Sequence, residues 1–511
     1  MASAATRASP KPLAGGALIA GAFALALANF VVVLDMTIAN VSIPHIAGGL
    51  AVSPTQGTWA ITSYSVADAI SVPLTGWLAA RFGTVRWFLI AITGFGLFSL
   101  LCGISQSLSM LVVFRVLQGL SGGPLMSLSQ ILLLRIFPPA RASIGIAIWA
   151  MTTTTAPILG PILGGLISDN WHWSWIFFIN LPVVAVCAFG VWRMLTPFET
   201  ERLRSPIDVI GLALLVAAVG SFQIMLDTGH DNDWFGSTWI VFLAIVSALG
   251  FASFIIWELT DDHPVVDIRI FRSRGFAFGT AAVSLGFGAF FSQVVLTPLW
   301  LQQYAGYTAT ETGYIVAWIG CFAVLLSPVA AQLTARVDLR ITISAGLIWM
   351  ALMSLLRSHW TVDAGYLTLA LPHLLQGMGM PFFFVGLTAL TLSSVDPKDA
   401  TSAAGLSNFM RTLSGAIGTA TATTVWDGAT RTSRSELASN LNDPAGAISA
   451  LQHVGMSIDQ ARVAIERQVE VQAATVGALN TFLTAGLVFV VATICVWLAP
   501  LPKEIRMGGG H

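Results

Sequence analysis

Apolar runs about twenty residues long recur along the whole chain, the first beginning near Leu18 and the last near Val476. Wound as a helix, such a run spans the roughly 30 Å hydrocarbon core of a bilayer, and a backbone in lipid must close its own hydrogen bonds. The chain is therefore expected to be an all-α polytopic membrane protein. Window counting gives about fourteen spans, beginning near Leu18, Gln56, Trp87, Leu108, Ala142, Phe178, Ile207, Thr238, Phe276, Gly313, Ile341, Tyr366, Ala400 and Val476. With 55% hydrophobic and 10% charged residues, little polar surface remains for soluble domains.

An even number of spans puts both termini on one side, and the basic residues choose the side. One set of loops holds Arg7, Lys11, Arg81, Arg86, Arg135, Arg141, Arg193, Arg202, Arg204, Arg269, Arg272, Arg274, Arg336, Arg340, Lys398, Lys503 and Arg506; the other holds Arg357, Arg431, Arg434, Arg462 and Arg467. Four of those five fall in one long polar stretch, where the positive-inside bias acts weakly, so the termini are expected in the cytoplasm. Residues Met1 to Pro12 form a short polar tail, and the run after them is too long for a signal peptide, so it is expected to stay as the first helix.

Several function classes are excluded. A net charge of -1 offers no basic field for nucleic acid. Cys102, Cys187, Cys321 and Cys495 stand singly in apolar runs, without the paired spacing of a metal or redox site, so no cofactor is expected. No nucleophile with its base, no HExxH and no phosphate loop is present, so the chain is not expected to be an enzyme. Lys11, Lys398 and Lys503 all lie in loops, which leaves no line of buried lysines such as a respiratory proton channel needs.

Against that background, Asp35, Asp68, Arg115, His373 and Arg411 fall well inside spans. Charge at such depth is costly and marks ion or substrate paths. By helical rise, Asp35 lies roughly 14 Å from Pro44, Arg115 about 12 Å from Ser107 and Asp68 about 18 Å from Gln56, all near mid-membrane. A carboxylate there can exchange a proton as access alternates, with a nearby arginine as its partner. The same pair also suits a permanent link between two helices. Asp68 fits a second proton site, a counterion for cations or a wall residue; His373 fits a proton relay or a packing role.

Shifting the sequence by 258 residues lays Val116-Leu117-Gln118-Gly119 over Leu374-Leu375-Gln376-Gly377, Pro139 over Pro397, Ser143 over Thr401 and Gly160 over Gly418. Two six-helix halves, with spans seven and eight inserted between them, explain the shift. Arg115 falls over His373, which places both on the walls of one central cavity.

LDMTIANVSIP (34–44), GWLAARFG (76–83), RVLQGLSGGP (115–124) and APILGPILGG (156–165) resemble, in order and spacing, the signatures of the major facilitator superfamily. WHWSWIFFINLP (171–182), the two extra helices and WELTDDHPVVD (257–267) resemble the fourteen-helix drug:proton antiporter branch, and within it the EmrB-type multidrug exporters. The resemblance implies two pseudosymmetric bundles rocking about a central cavity, exchanging lipophilic small molecules for protons across the inner membrane of a bacterium. It implies as partners a membrane-fusion adaptor and an outer-membrane channel. The alternative is a dedicated exporter of one metabolite, such as an antibiotic, siderophore or fatty acid.

On this reading the proton-coupling candidates are Asp35, Arg115, Asp68 and His373. The candidate substrate residues are Asn29, Tyr64, Gln118, Trp149, Phe290, Gln293, Trp318, Asn408 and Arg411. Gly160, Pro161, Gly164 and Gly165 form the antiporter element, and Gly76, Arg81, Gly83 and Arg86 the gating loop. Ala80 stands where the superfamily usually has an acid, and Asp68 where EmrB-type sequences usually carry an amide.

The expected organisation is a tail (1–16), a first bundle (17–200), two inserted helices (201–260), five helices of the second bundle (261–426), a long periplasmic loop (427–475), and the last helix with its tail (476–511). That loop shows helical patterning from Ser457 to Val471, opened by a Ser457/Gln460 capping box. The C-terminal Gly508-Gly509-Gly510-His511 resembles the glycine-rich ends of the family.

Overall fold

Nineteen α-helices follow one another through the described residues: α1 (Gly15–Val41), α2 (Ile43–Gly49), α3 (Pro54–Gly57), α4 (Trp59–Ser71), α5 (Thr75–Phe82), α6 (Thr84–Gly103), α7 (Leu108–Ile136), α8 (Ala142–Asn170), α9 (Trp175–Phe178), α10 (Asn180–Leu195), α11 (Val209–Gly229), α12 (Thr238–Thr260), α13 (Arg274–Gln303), α14 (Ala309–Thr334), α15 (Leu339–Arg357), α16 (Tyr366–Ser393), α17 (Ala400–Ser439), α18 (Pro444–His453) and α19 (Ile458–Leu498). The computed structural model describes residues 12–138, 141–202, 208–262, 264–334, 336–396, 399–439 and 443–500. Arg7, Lys11, Pro139, Arg204, Pro397, Lys398, Lys503, Arg506, the glycine-rich C terminus and the Pro161 side chain lie outside the described residues.

Among the described residues eleven helical spans, one of them α9 and α10 together, are long and apolar enough to cross a membrane, twelve with α8, which bends by 44° between Ala142–Pro157 and Ile162–Ser168. The remaining two of the expected fourteen are α4–α5, interrupted after Ser71, and α17, which is too polar over its length to pass on composition. Each packs along spans of its own half, α4 on α7 and α17 on α13. Prolines stand inside helices at Pro124, Pro298, Pro328, Pro372 and Pro381, a pattern that neighbouring helices make tolerable in a membrane bundle.

The spans form two clusters. In the first, α1 packs on α8 and α10, and α7 on α4 and α6; in the second, α13 packs on α17 and α19, and α16 on α14 and α15. The clusters meet where α8 runs against α14 and α16, and where α5 and α7 meet α17. The inserted pair α11–α12 lies outside them, with α11 touching both α4 and α17.

The first and last described segments lie on one face, here called the terminal face: Leu13 N–H bonds Ile136 O at the end of α7, and Pro500 O lies beside Gly275 at the start of α13. Arg135 and Thr401, 3.5 Å apart, join the two clusters on this terminal face.

Two expectations need correction here. The stretch 427–475 is a helical hairpin rather than a loop, because α17 continues to Ser439, α18 follows, and α19 begins at Ile458 with Ser457 as its capping box. At 1.5 Å per residue, the 40 residues of α17 reach about 60 Å, twice the hydrocarbon core. Arg434 and Glu466, 2.6 Å apart, tie the two arms, and Trp426 Nε1 donates to Ala474 O. Arg357 is not a loop residue either: it ends α15 with 1% of its surface exposed.

Candidate functional site

Arg115 sits in the middle of the first cluster on α7, wholly buried, and five helices contribute to the polar knot around it, although its NH2 and Asn180 Oδ1 have no hydrogen-bond partner among the described residues. Its NH1 donates to Asp35 Oδ2 on α1 at 2.6 Å and to Gln118 Oε1 at 2.9 Å, while its Nε donates to Ala60 O on α4 at 2.8 Å. The ring of Tyr64 lies under the guanidinium at 4.2 Å. Asp35 also accepts from Gln118 Nε2 at 3.1 Å and from Asn180 Nδ2 on α10 at 2.6 Å, and both amides donate to Ser99 Oγ on α6 at 2.8 Å. A paired charge with filled lone pairs is the form in which ions are tolerated in low dielectric. Asp35 and Arg115 thus come together as a pair, while Gln118, expected among the substrate residues, has its side chain committed to the same knot. Asn180 and Ser99 complete the knot; Asn180 stood in the quoted WHWSWIFFINLP segment, but nothing in its spacing pointed to Asp35.

Asp68 is buried on α4, and its carboxylate accepts no hydrogen bond from the described residues. Two further acids in the inserted pair escaped the sequence reading. Asp227 accepts from Gln223 Nε2 at 3.0 Å on α11, and the fully buried Glu258 on α12 accepts from Val266 N–H at 3.3 Å. Asp227 stands at the end of its apolar run and Glu258 in the quoted WELTDDHPVVD segment, so both read as interfacial residues.

Where the clusters meet, Arg411 of α17 is 3% exposed and lies between Trp149 of α8, at 4.6 Å, and Phe287 of α13, at 4.9 Å. Its Nε and NH1 have no hydrogen-bond partner among the described residues. One turn earlier, Asn408 Nδ2 crosses to Ser127 Oγ at 3.1 Å and Gln130 Oε1 at 3.0 Å on α7.

The other candidate substrate residues separate. Asn29 is spent on α8, donating to Thr152 and Thr153 hydroxyls at 2.8 Å each. Phe290 packs into an aromatic group with Phe287, Phe291 and Phe384. Trp318 is 41% exposed, with its indole N–H on Tyr366.

His373 does not share a cavity wall with Arg115. Its ring stacks on Trp360 at 5.7 Å, its Nδ1 lies 2.9 Å from Leu369 O, and Trp360 in turn packs on Trp300 of α13 and Phe482 of α19. Gln293 is likewise internal to the second cluster: its Oε1 accepts from Arg357, and its Nε2 donates to Ser354 Oγ at 2.7 Å.

The glycines explain how helices approach. A Cβ on Gly160 would stand 2.1 Å from Thr37 Oγ1 and one on Gly164 2.7 Å from Ile38 O, so α8 lies directly on α1; Gly165 faces open space. At Gly76 a Cβ would meet Ser402 Oγ at 2.4 Å, which makes this residue of the GWLAARFG segment a contact between the two clusters. Gly83 adopts a φ of 92°, a region closed to most side chains. Beside it, Glu199 accepts from the backbone N–H of Val85 and Arg86, capping the start of α6. Arg81 lies over the Trp77 ring at 5.5 Å.

A cavity of about 320 Å³ opens between α13, α17 and α19, lined by small apolar residues and the hydroxyls of Ser284, Ser292, Ser414, Thr421, Thr481 and Thr484. None of the candidate aromatic residues lines it.

The model of the Major Facilitator Superfamily matches residues 25–419. The chain is 44% identical over 506 residues to the multidrug export protein EmrB of Escherichia coli (strain K12), covering 98% of this chain and 99% of that one. It is 41% identical over 504 residues to the fatty acid resistance protein FarB of Neisseria gonorrhoeae, again covering 98% and 99%. Among solved structures, a POT family transporter in complex with a thioalcohol-conjugated peptide superposes with a TM-score of 0.60 at 14% identity, covering 93% of this chain and 95% of that one.

Proposed function

Since the chain belongs to the major facilitator superfamily, as a multi-pass membrane transporter of the EmrB multidrug-export type, we propose that it is a proton-coupled antiporter exporting hydrophobic or amphiphilic compounds. The observation that carries the reading is the buried Asp35–Arg115 pair. Protonating Asp35 removes its charge but leaves Arg115 held by Ala60 O, Gln118 and the Tyr64 ring, so the knot slackens between α1 and α7 without exposing a bare cation. Because α1 lies on α8 through Gly160 and Gly164, and α8 carries Trp149, a shift of α1 reaches the contact with Arg411 on the second cluster. Proton exchange at Asp35 thereby biases which of two arrangements the halves adopt, and the bundles rock about their mutual contacts.

The membrane is proposed to be the bacterial inner membrane, with the terminal face in the cytoplasm. With Arg357 buried rather than in a loop, the sequence count leaves no basic residue in the short loops of the opposite set, which supports the orientation. The helical hairpin then projects into the periplasm, where its length suits a membrane-fusion adaptor leading to an outer-membrane channel.

Arg411 favours weakly acidic amphiphiles among the substrates, because two of its guanidinium nitrogens have no hydrogen-bond partner among the described residues and lie between two ring faces that can stack on a flat ligand. The likeness to FarB keeps a second reading in view, a dedicated exporter of one class of metabolite such as fatty acids. Transport into vesicles under an imposed pH gradient, with cationic, neutral and weakly acidic compounds offered in parallel, tests both. Uptake that ignores the gradient would overturn proton coupling, and uptake confined to one compound class would favour the dedicated exporter.

A further inference from the structure

The 258-residue shift that aligns Gln118 with Gln376 also carries Asp35 onto Gln293 and Ser99 onto Arg357. All three second-half residues meet. Arg357 donates from NH1 to Gln293 Oε1 and from NH2 to Gln376 Oε1, Gln376 Nε2 lies 3.4 Å from Gln293 Oε1, and Gln293 Nε2 donates to Ser354 Oγ at 2.7 Å. Arg357, Gln293 and Gln376 are 1%, 3% and 1% exposed. The second half therefore holds its own arginine-centred knot across α13, α15 and α16, the helices that the shift pairs with α1, α6 and α7.

The two knots differ in two exchanges. The arginine has moved from the Arg115 place, now His373, to the Ser99 place, and the acid has become an amide. Among the described residues no carboxylate pairs with Arg357, and the charged or titratable side chains at the cluster are Arg357 and, across Trp360, His373. Every acceptor Arg357 uses is an amide, which gains and loses no proton near neutral pH. The planar fork of the guanidinium reaches two amides on two helices at once, which a lysine ammonium cannot do with the same geometry.

We propose that Arg357 is a positioning residue for transport: with Gln293 and Gln376 it forms a proton-independent clamp that keeps the second half in one shape while the first half's knot responds to protons. Coupling is thus one-sided by construction, even though both halves carry the same polar framework. The proposal rests on reading Asp35–Arg115 as the coupling pair.

Purified protein in proteoliposomes under an imposed pH gradient provides the test, with uptake of one transported compound followed across external pH and folding checked by melting temperature and monodispersity. Arg357→Gln should lower the uptake rate at least tenfold without moving the pH midpoint, and Arg357→Lys should recover only part of it. Gln293→Asp supplies the missing carboxylate opposite Arg357 and should add a second transition to the pH profile. A wild-type rate or a shifted midpoint for Arg357→Gln would overturn the proposal, as would an unaltered profile for Gln293→Asp. If Arg357→Gln fails to fold, Gln293→Asp still decides, since it leaves the arginine in place. Asp35→Asn run alongside separates the two readings: a wild-type pH profile there removes the coupling role from Asp35, whereas the Arg357 and Gln293 results bear on the clamp.

Discussion

Asn408 Nδ2 donates to Ser127 Oγ at 3.1 Å and to Gln130 Oε1 at 3.0 Å, and these bonds cross from one half of the protein to the other. Together with the approach of Gly76 to Ser402 and of Arg135 to Thr401, they fasten the halves on the side where Leu13 and Pro500 lie. Any rocking motion that opens this side must break them.

Asn408→Ala should therefore favour opening of the terminal face. Two neutral hydrogen bonds contribute about 1–3 kcal/mol together, which corresponds to roughly a 5- to 150-fold shift in population. A cysteine placed at Thr401 in a background lacking the four native cysteines should react faster with a membrane-impermeant maleimide applied from that face when Asn408 is alanine. Equal labelling rates would show that the contact does not hold the gate.

Asp35→Asn should abolish the response of transport to a pH gradient while the chain still reaches the membrane. Removing one partner of a buried ion pair costs about 3–5 kcal/mol in soluble proteins. Here Arg115 keeps Ala60 O, Gln118 and Tyr64, so a lowered melting temperature in detergent is expected rather than a failure to fold. Retained gradient-driven uptake by the purified variant would count against Asp35.

The pair itself was legible because charged residues stand out in apolar runs, and helical rise gave them similar depths. Its surroundings were not, since Asn180 and Ser99 are ordinary small polar residues until α6 and α10 pack against α7. Arg357 escaped for a related reason: it is the last residue of α15, and a basic residue at the end of an apolar run reads as a loop residue. The repeat then pointed to His373 as the mirror of Arg115, correctly in register but wrongly in surroundings, because the arginine of the second half occupies a different helix. In the sequence the segment 427–475 resembles a loop because the apolar runs stop at Trp426 and resume at Val476, although the capping box at Ser457 marks a helix start there.

Removing the tip of the helical hairpin, residues 440–456, should leave uptake into vesicles unchanged and abolish resistance in intact cells. Cutting at the tip spares the anchors nearer the membrane, where Trp426 binds Ala474 O and Trp300 binds Thr475 Oγ1. Val454 there is 81% exposed, so its removal uncovers little of the remaining chain. Full resistance in cells expressing the shortened chain would remove the docking role.

Glycines of the α8 element give a paired prediction. Gly160→Ala places a methyl group 2.1 Å from Thr37 Oγ1, so α1 and α8 must separate, and Gly165→Ala places one in open space. Overpacking of this kind costs about 1–3 kcal/mol. Gly160→Ala should lower the melting temperature and slow transport severalfold, while Gly165→Ala leaves both unchanged, and equal effects from the two would deny the close approach a part in the cycle.

Arg411 offers the sharpest test of substrate class. Its guanidinium lies between the Trp149 and Phe287 rings, one from each half, with Nε and NH1 free of partners among the described residues. A carboxylate or phenolate there would satisfy both nitrogens, whereas a cation would meet like charge. Arg411→Gln should consequently raise the KM for weakly acidic compounds at least tenfold and leave that for cationic ones unchanged or lower. Arg411→Lys keeps the charge but loses the flat stack and the fork, so it should rescue acidic substrates only in part. Uniform loss for acidic, neutral and cationic compounds, with folding intact, would instead make Arg411 a strut between the halves rather than a place where the transported anion rests.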